Sequence, residues 1–153
     1  MNRIRLKSSR RKLEIVNKRI LNIICELIGS NVTTNMKDLN LIGKKLLGDK
    51  FLGVFTKDKS EKLFNNMKED ESLISNTDTT EEAQFTGGTH WLGIVKSSGE
   101  LLEYDSFGRR FFKDTVITDD DKEQSTTESN CGQRCISFLV IERLYGGEVA
   151  KLL

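Results

Sequence analysis

Trp91-Leu92-Gly93-Ile94-Val95-Lys96-Ser97-Ser98-Gly99-Glu100-Leu101-Leu102-Glu103-Tyr104 holds two apolar runs on either side of Ser97-Ser98-Gly99. Short runs of strand formers around a serine–glycine turn read as a β-hairpin. The hairpin frames what flanks it. His90, the single histidine of the chain, stands at the head of the first strand, after Thr86-Gly87-Gly88-Thr89, a loop free to bend sharply. Asp105 stands at the end of the second strand. Paired strand ends bring two side chains within hydrogen-bond reach, so Asp105 is expected to hold the His90 ring.

Outward from the hairpin, helical periodicity dominates both ends. Leu13, Val16, Ile20, Ile23, Ile24, Leu27 and Ile28 recur at three- and four-residue steps after Ser8-Ser9, which predicts a helix with one apolar stripe toward a core and a stop at Gly29. Thr33-Thr34 offers a cap for a second helix through Leu39, Ile42, Leu46 and Leu47, closed by Gly48. Phe51-Leu52-Gly53-Val54-Phe55 reads as a short buried strand. Residues 56–84 are polar and charged and read as a mostly irregular connection with a helical turn near Leu63–Met67. Phe111-Phe112 and Val116-Ile117 mark a further short helix or strand. Residues 118–130 form a polar loop, after which Cys131, Cys135, Phe138, Leu139 and Leu144 keep helical spacing up to Gly146-Gly147. The expected architecture is α+β, a small central sheet flanked by helices.

The 153 residues fit one domain, 1–153, with a basic N-terminal arm over 1–12. An apolar content of 37% with 31% charged residues suits a globular protein. No apolar run approaches the ~18 residues of a membrane span, so no membrane association is expected. Met1-Asn2-Arg3-Ile4-Arg5 has no apolar segment behind it and is not expected to direct secretion. Three scattered cysteines fit reduced thiols inside a cell. Net charge is +1, unevenly placed: residues 1–19 hold eight basic side chains and one acid, Glu14. Arg3, Arg5, Arg10, Arg11 and Lys12 are candidates for nucleic-acid contact; a solvated tail and helix face is the plainer reading.

The chemistry-bearing residues follow one another in the order His90, Asp105, Gln124, Cys131. A thiol nucleophile needs a base, the base an orienter, and the tetrahedral intermediate a donor for its oxyanion. Cys131 falls at the first turn of the last helix, with Ser129 or Asn130 as cap, where backbone N–H groups and the helix dipole favour an anion. Gln124 carries a side-chain amide that can donate to an oxyanion beside the Cys131 N–H. A lone cysteine is usually a small buried hydrophobe and a lone histidine usually structural. The set, rather than either residue, points to thiol-based acyl transfer without a required cofactor or metal.

Thr86-Gly87-Gly88-Thr89-His90-Trp91, Tyr104-Asp105-Ser106-Phe107-Gly108, Gln124 and Asn130-Cys131-Gly132 resemble the adenovirus maturation proteases, and most of all the relatives carried by virophages and Polinton/Maverick elements. Phe51-Leu52-Gly53-Val54-Phe55 with Lys57-Asp58 resembles a segment those proteins carry ahead of the histidine. The likeness covers about residues 36–145, and SUMO-specific proteases share the arrangement more distantly. It implies a papain-like active site in permuted order, with His90, Asp105, Gln124 and Cys131 catalytic, and Trp91, Gly88 and Asn130 as candidate substrate contacts. It further implies an endopeptidase that cleaves viral capsid or other precursor proteins during virion maturation, in the host cytoplasm, a virus factory or the virion. DNA is a candidate activator. Asp105 stands where the adenovirus enzyme has glutamate, and the cysteine that binds its activating peptide has no evident match. Two alternatives from other directions are a ubiquitin-like-modifier protease and a non-catalytic zinc- or protein-binding domain, the zinc set being His90, Cys25, Cys131 and Cys135.

Overall fold

The computed structural model describes residues 3–28, 35–86, 89–118 and 130–153, with side chains described from Arg10 onward in the first helix. Five strands form one mixed sheet in chain order: β1 (Phe51–Phe55), β2 (Ser72–Asn76), β3 (Trp91–Ser97), β4 (Glu100–Tyr104) and β5 (Val116–Ile117). β1 runs parallel to β2, β2–β3 and β3–β4 are antiparallel, and β5 runs parallel to β4. The helices are α1 (Arg3–Ile28), α2 (Met36–Leu47), α3 (Lys57–Phe64), α4 (Thr80–Thr86), α5 (Cys131–Tyr145) and α6 (Gly147–Ala150). The α+β class with helices flanking a small sheet is thus observed. No helix among the described residues is long and apolar enough to cross a membrane.

The β3–β4 hairpin closes on Ser98 (φ 50°) and Gly99 (φ 79°). Two successive left-handed residues twist the turn to match the strands it joins. Alternation along the strands then sorts side chains onto two faces. On one face Ile74, Trp91, Val95, Leu102 and Tyr104 join α1, α2 and α5 in the main core. On the other, Leu73, Leu92 and Ile94 join Met67 and Phe112, with Leu63 and Phe64 of α3 packed against them.

Several expectations are corrected. The segment 56–84 is not mostly irregular: it supplies α3, α4 and β2, and β2 lies inside the sheet between β1 and β3. The second helix is capped by Asn35, whose Oδ1 accepts from Asp38 N at 2.9 Å, while Thr33-Thr34 lie outside the described residues. α1 begins at Arg3, before Ser8-Ser9, so residues 3–12 of the basic arm lie in its first turns. Its stripe is narrower than the periodicity predicts. Leu13 and Ile24 are buried, but Ile23 and Leu27 are 53% and 43% exposed. The cause is that α1 packs on α5 with only an edge of α2 beside it.

α5 crosses β3 closely because Gly93 has no side chain. A Cβ there would meet Phe138 Cδ1 at 3.0 Å. Phe138 in turn stacks on Tyr104 with ring centroids 4.9 Å apart, and Cys135 Sγ donates to Trp91 O at 3.3 Å. These contacts fix how far α5 slides along the sheet. The first turn of α5 is thereby set beside the head of β3, where His90 lies.

Candidate active site

Asp105 follows the last residue of β4 and enters a turn. Its Oδ1 accepts the Phe107 N–H at 2.9 Å, and its carbonyl accepts the Gly108 N–H at 2.8 Å. Gly108 has φ 71°, a conformation glycine adopts without strain. The turn holds the carboxylate at the end of β4, facing the head of β3. There Oδ1 meets His90 Nε2 at 2.7 Å, and Oδ2 accepts from Arg109 Nε at 3.2 Å. Continuing the β3–β4 register one step past Gly93↔Tyr104 sets Asp105 opposite Leu92. His90 then lies on the diagonal, the placement that lets a short carboxylate reach an imidazole on the same face.

His90 is buried, at 7% exposure. Its carbonyl accepts the Thr77 N–H at 3.1 Å, tying the residue to the end of β2. The Phe107 ring lies against the imidazole, with centroids 4.9 Å apart. Burial alone pushes the imidazole pKa down. Hydrogen bonds to Asp105 and Cys131, with the negative charges of both, outweigh it and raise His90 from 6.5 to about 9. With Nε2 held by Asp105, Nδ1 is the ring nitrogen left for the thiol. Asp105 is also buried, which pushes its carboxyl up. The His90 bond, the Phe107 N–H and the charges of His90 and Arg109 reverse that and hold it below the usual carboxylate range.

Cys131 is half-buried and is the first residue of α5. Asn130 occupies the cap position but its side chain makes no cap bond. Its Oδ1 instead accepts from Arg134 Nε at 3.1 Å, one turn on. The expected side-chain cap is therefore not made by Asn130, and Ser129 lies outside the described residues. Asn130 itself is buried. Trp91 is buried at 4% exposure within the main core, its ring packed among core side chains.

Gln124 and Gly88 lie outside the described residues, as do the side chains of Arg3 and Arg5. Arg10 is half-buried on α1, and Arg11 and Lys12 are exposed there. Cys25 is half-buried on α1, where burial pushes its thiol up against the lowering charge of Arg134. Cys135 is fully buried. Among the described residues, no three His, Cys, Asp or Glu side chains come together so as to hold a metal ion. The set of His90, Cys25, Cys131 and Cys135 is thus not gathered into a metal cluster.

Sequence reasoning missed Arg109, Phe107 and Glu103. Arg109 caps the far oxygen of Asp105 and lies over the Phe107 ring at 5.0 Å. Glu103, only 1% exposed, accepts from the N–H groups of Phe111 (2.7 Å) and Phe112 (2.8 Å) and from Thr115 Oγ1 at 3.3 Å. Burial, helped by the charge of Asp105, raises its carboxyl despite these donors. The signal available for Glu103 was a carboxylate between Leu102 and Tyr104, two residues before Asp105.

No protein-family model matches this chain, and no curated protein matches it in sequence.

Proposed function

We propose that this protein is a cysteine endopeptidase, with Cys131 as nucleophile, His90 as general acid and base, and Asp105 as the group that orients His90. The observation that carries the reading is the His90 imidazole, bonded at 2.7 Å to the buried Asp105 carboxylate and raised in pKa by Cys131 as well as by Asp105. Cys131 is the first residue of α5. The order of motifs and their likeness to the adenovirus-type proteases support it independently. Precursor proteins of a virus are the substrates which that likeness favours.

In the proposed reaction the Cys131 thiolate attacks the scissile carbonyl carbon, and the carbonyl electron pair moves onto oxygen. The Cys131 backbone N–H and the Gln124 amide are the proposed oxyanion donors. Collapse of this intermediate breaks the C–N bond, and His90 gives its proton to the departing amine. Water then attacks the thioester and leaves its proton on His90. The C–S bond breaks, which frees the acid and restores the thiolate. Asp105 keeps the ring in one orientation through both proton transfers and offsets its positive charge.

Iodoacetamide on the native protein tests this reading without a substrate. Cys131 should be alkylated at least about tenfold faster than Cys25 or Cys135, and His90→Ala should remove most of that advantage. Mass spectrometry of the digested protein reads each site. Equal labelling of all three thiols, or a Cys131 rate indifferent to His90, would contradict the proposal.

A further inference from the structure

A cleft of ≈ 350 Å³ opens on the flank of His90 and Asp105, walled by Thr77, Thr89, Arg109, Arg110 and Phe111. Nothing in the acyl-transfer scheme uses it. We infer that it is a subsite for a substrate carboxylate on the leaving-group side of the scissile bond. The inference rests on the peptidase reading above and names its substrate class.

Position gives the side. The departing amine takes its proton from His90, so it must lie within hydrogen-bond reach of that ring. The chain that follows the amine therefore leaves over the His90 flank, where the cleft opens.

Charge gives the chemistry. Arg109 spends Nε on Asp105, and its two terminal nitrogens make no hydrogen bond within the described residues. Its guanidinium is steadied over the Phe107 ring. Arg110 is exposed and makes no hydrogen bond or ion pair within the described residues. With His90 protonated below about 9, three positive groups meet two negative ones, Asp105 and the Asp78 that accepts from Thr89 Oγ1 at 3.1 Å. Asp105 is already satisfied by three donors, so it does not compete for the arginine fork. A guanidinium with free N–H groups is matched by a carboxylate.

The wall is also held in place. Glu103 anchors the segment after Arg110 through the Phe111 and Phe112 N–H groups, so the cleft does not depend on a loose loop. Phe111, 37% exposed, offers an apolar surface for the stem of an acidic side chain.

The carboxylate has two sources, an Asp or Glu side chain or the C-terminus of a short leaving peptide. A peptide library made from a digested proteome, one half with C-termini amidated, separates them. After incubation with the protein, mass spectrometry reads the residues that follow each cut. If side chains supply the carboxylate, Asp and Glu should be enriched about tenfold within the first three positions, in both halves. If the C-terminus supplies it, cuts should cluster within three residues of free C-termini and vanish on amidation. Arg110→Gln should weaken either bias, and Arg110→Glu should replace acidic residues by Lys and Arg. Cysteine-dependent cuts with neither bias, or a bias that Arg110→Glu leaves in place, would overturn the subsite while sparing the peptidase. An absence of any cut that depends on Cys131 would remove the peptidase reading and the subsite with it.

Discussion

Asp105→Asn should lower kcat/KM for peptide cleavage by about 10²–10⁴-fold while the protein stays folded. The amide oxygen of asparagine can still accept from Phe107 N–H and His90 Nε2, so the turn and the ring position survive. What is lost is the charge. The amide nitrogen is turned toward Arg109 Nε, where a donor faces a donor in place of the 3.2 Å bond. The imidazole loses one hydrogen-bonded anion, and burial, the largest single influence on it, is then opposed by Cys131 and a neutral hydrogen bond.

The pH profile separates this electrostatic role from a merely structural one. His90 has its pKa raised on folding from 6.5 to about 9. Its contribution to stability is therefore fully present below 6.5 and is lost as pH rises through about 9, on the order of 3 kcal/mol. Thermal melts should show the parent protein losing stability across that window and Asp105→Asn losing much less. The alkaline limb of kcat/KM, where His90 can no longer protonate the amine, should lie near pH 9 in the parent and move toward neutrality in the variant. On the acid side the sign reverses. Asp105 is held below its ordinary value, so its contribution is present above about pH 4 and is lost as pH falls through its folded value. Asp105→Asn should lack that acid-side loss. Parallel pH profiles for the two proteins would reduce Asp105 to a turn residue.

Gly43→Ala should destabilise the fold by about 3 kcal/mol, a fall of about 10 °C in Tm. A Cβ on Gly43 would lie 2.1 Å from Phe51 Cε1 and 2.5 Å from Cζ. Phe51 is fully buried at the start of β1, and its ring has nowhere to go. α2 would have to lift from β1, opening the main core on the side away from the active site. The better helix propensity of alanine returns only about 1 kcal/mol. A melt equal to the parent's would show that this contact is looser than its geometry. Because Cys131, His90 and Asp105 are untouched, protein that remains folded should keep its Cys131 reactivity.

What could be read from the sequence follows physical rules with identifiable limits. The β3–β4 hairpin was legible because two apolar runs meet at Ser98-Gly99, and so were β1 and the start of the last helix at Cys131. The pairing of His90 with Asp105 followed from the hairpin alone. β2 was not legible. Its Ser72, Ser75 and Asn76 are polar yet buried, a pattern that periodicity assigns to a loop. They are tolerated because both neighbours satisfy the backbone, and Ser75 Oγ donates to Asn76 O at 3.0 Å. Ile23 and Leu27 kept helical spacing but are exposed among the described residues, since spacing reports a face and not what covers it. Arg109 was invisible for another reason. It reaches Asp105 only because the Asp105–Gly108 turn folds the chain back, and no local pattern announces that reversal.

The most direct measurement of peptidase activity at Cys131 is the set of new peptide N-termini produced when denatured proteins are incubated with the parent protein and with Cys131→Ala. The parent protein should yield new N-termini, and Cys131→Ala none above background. Identical termini from both proteins, or none from either, would contradict it.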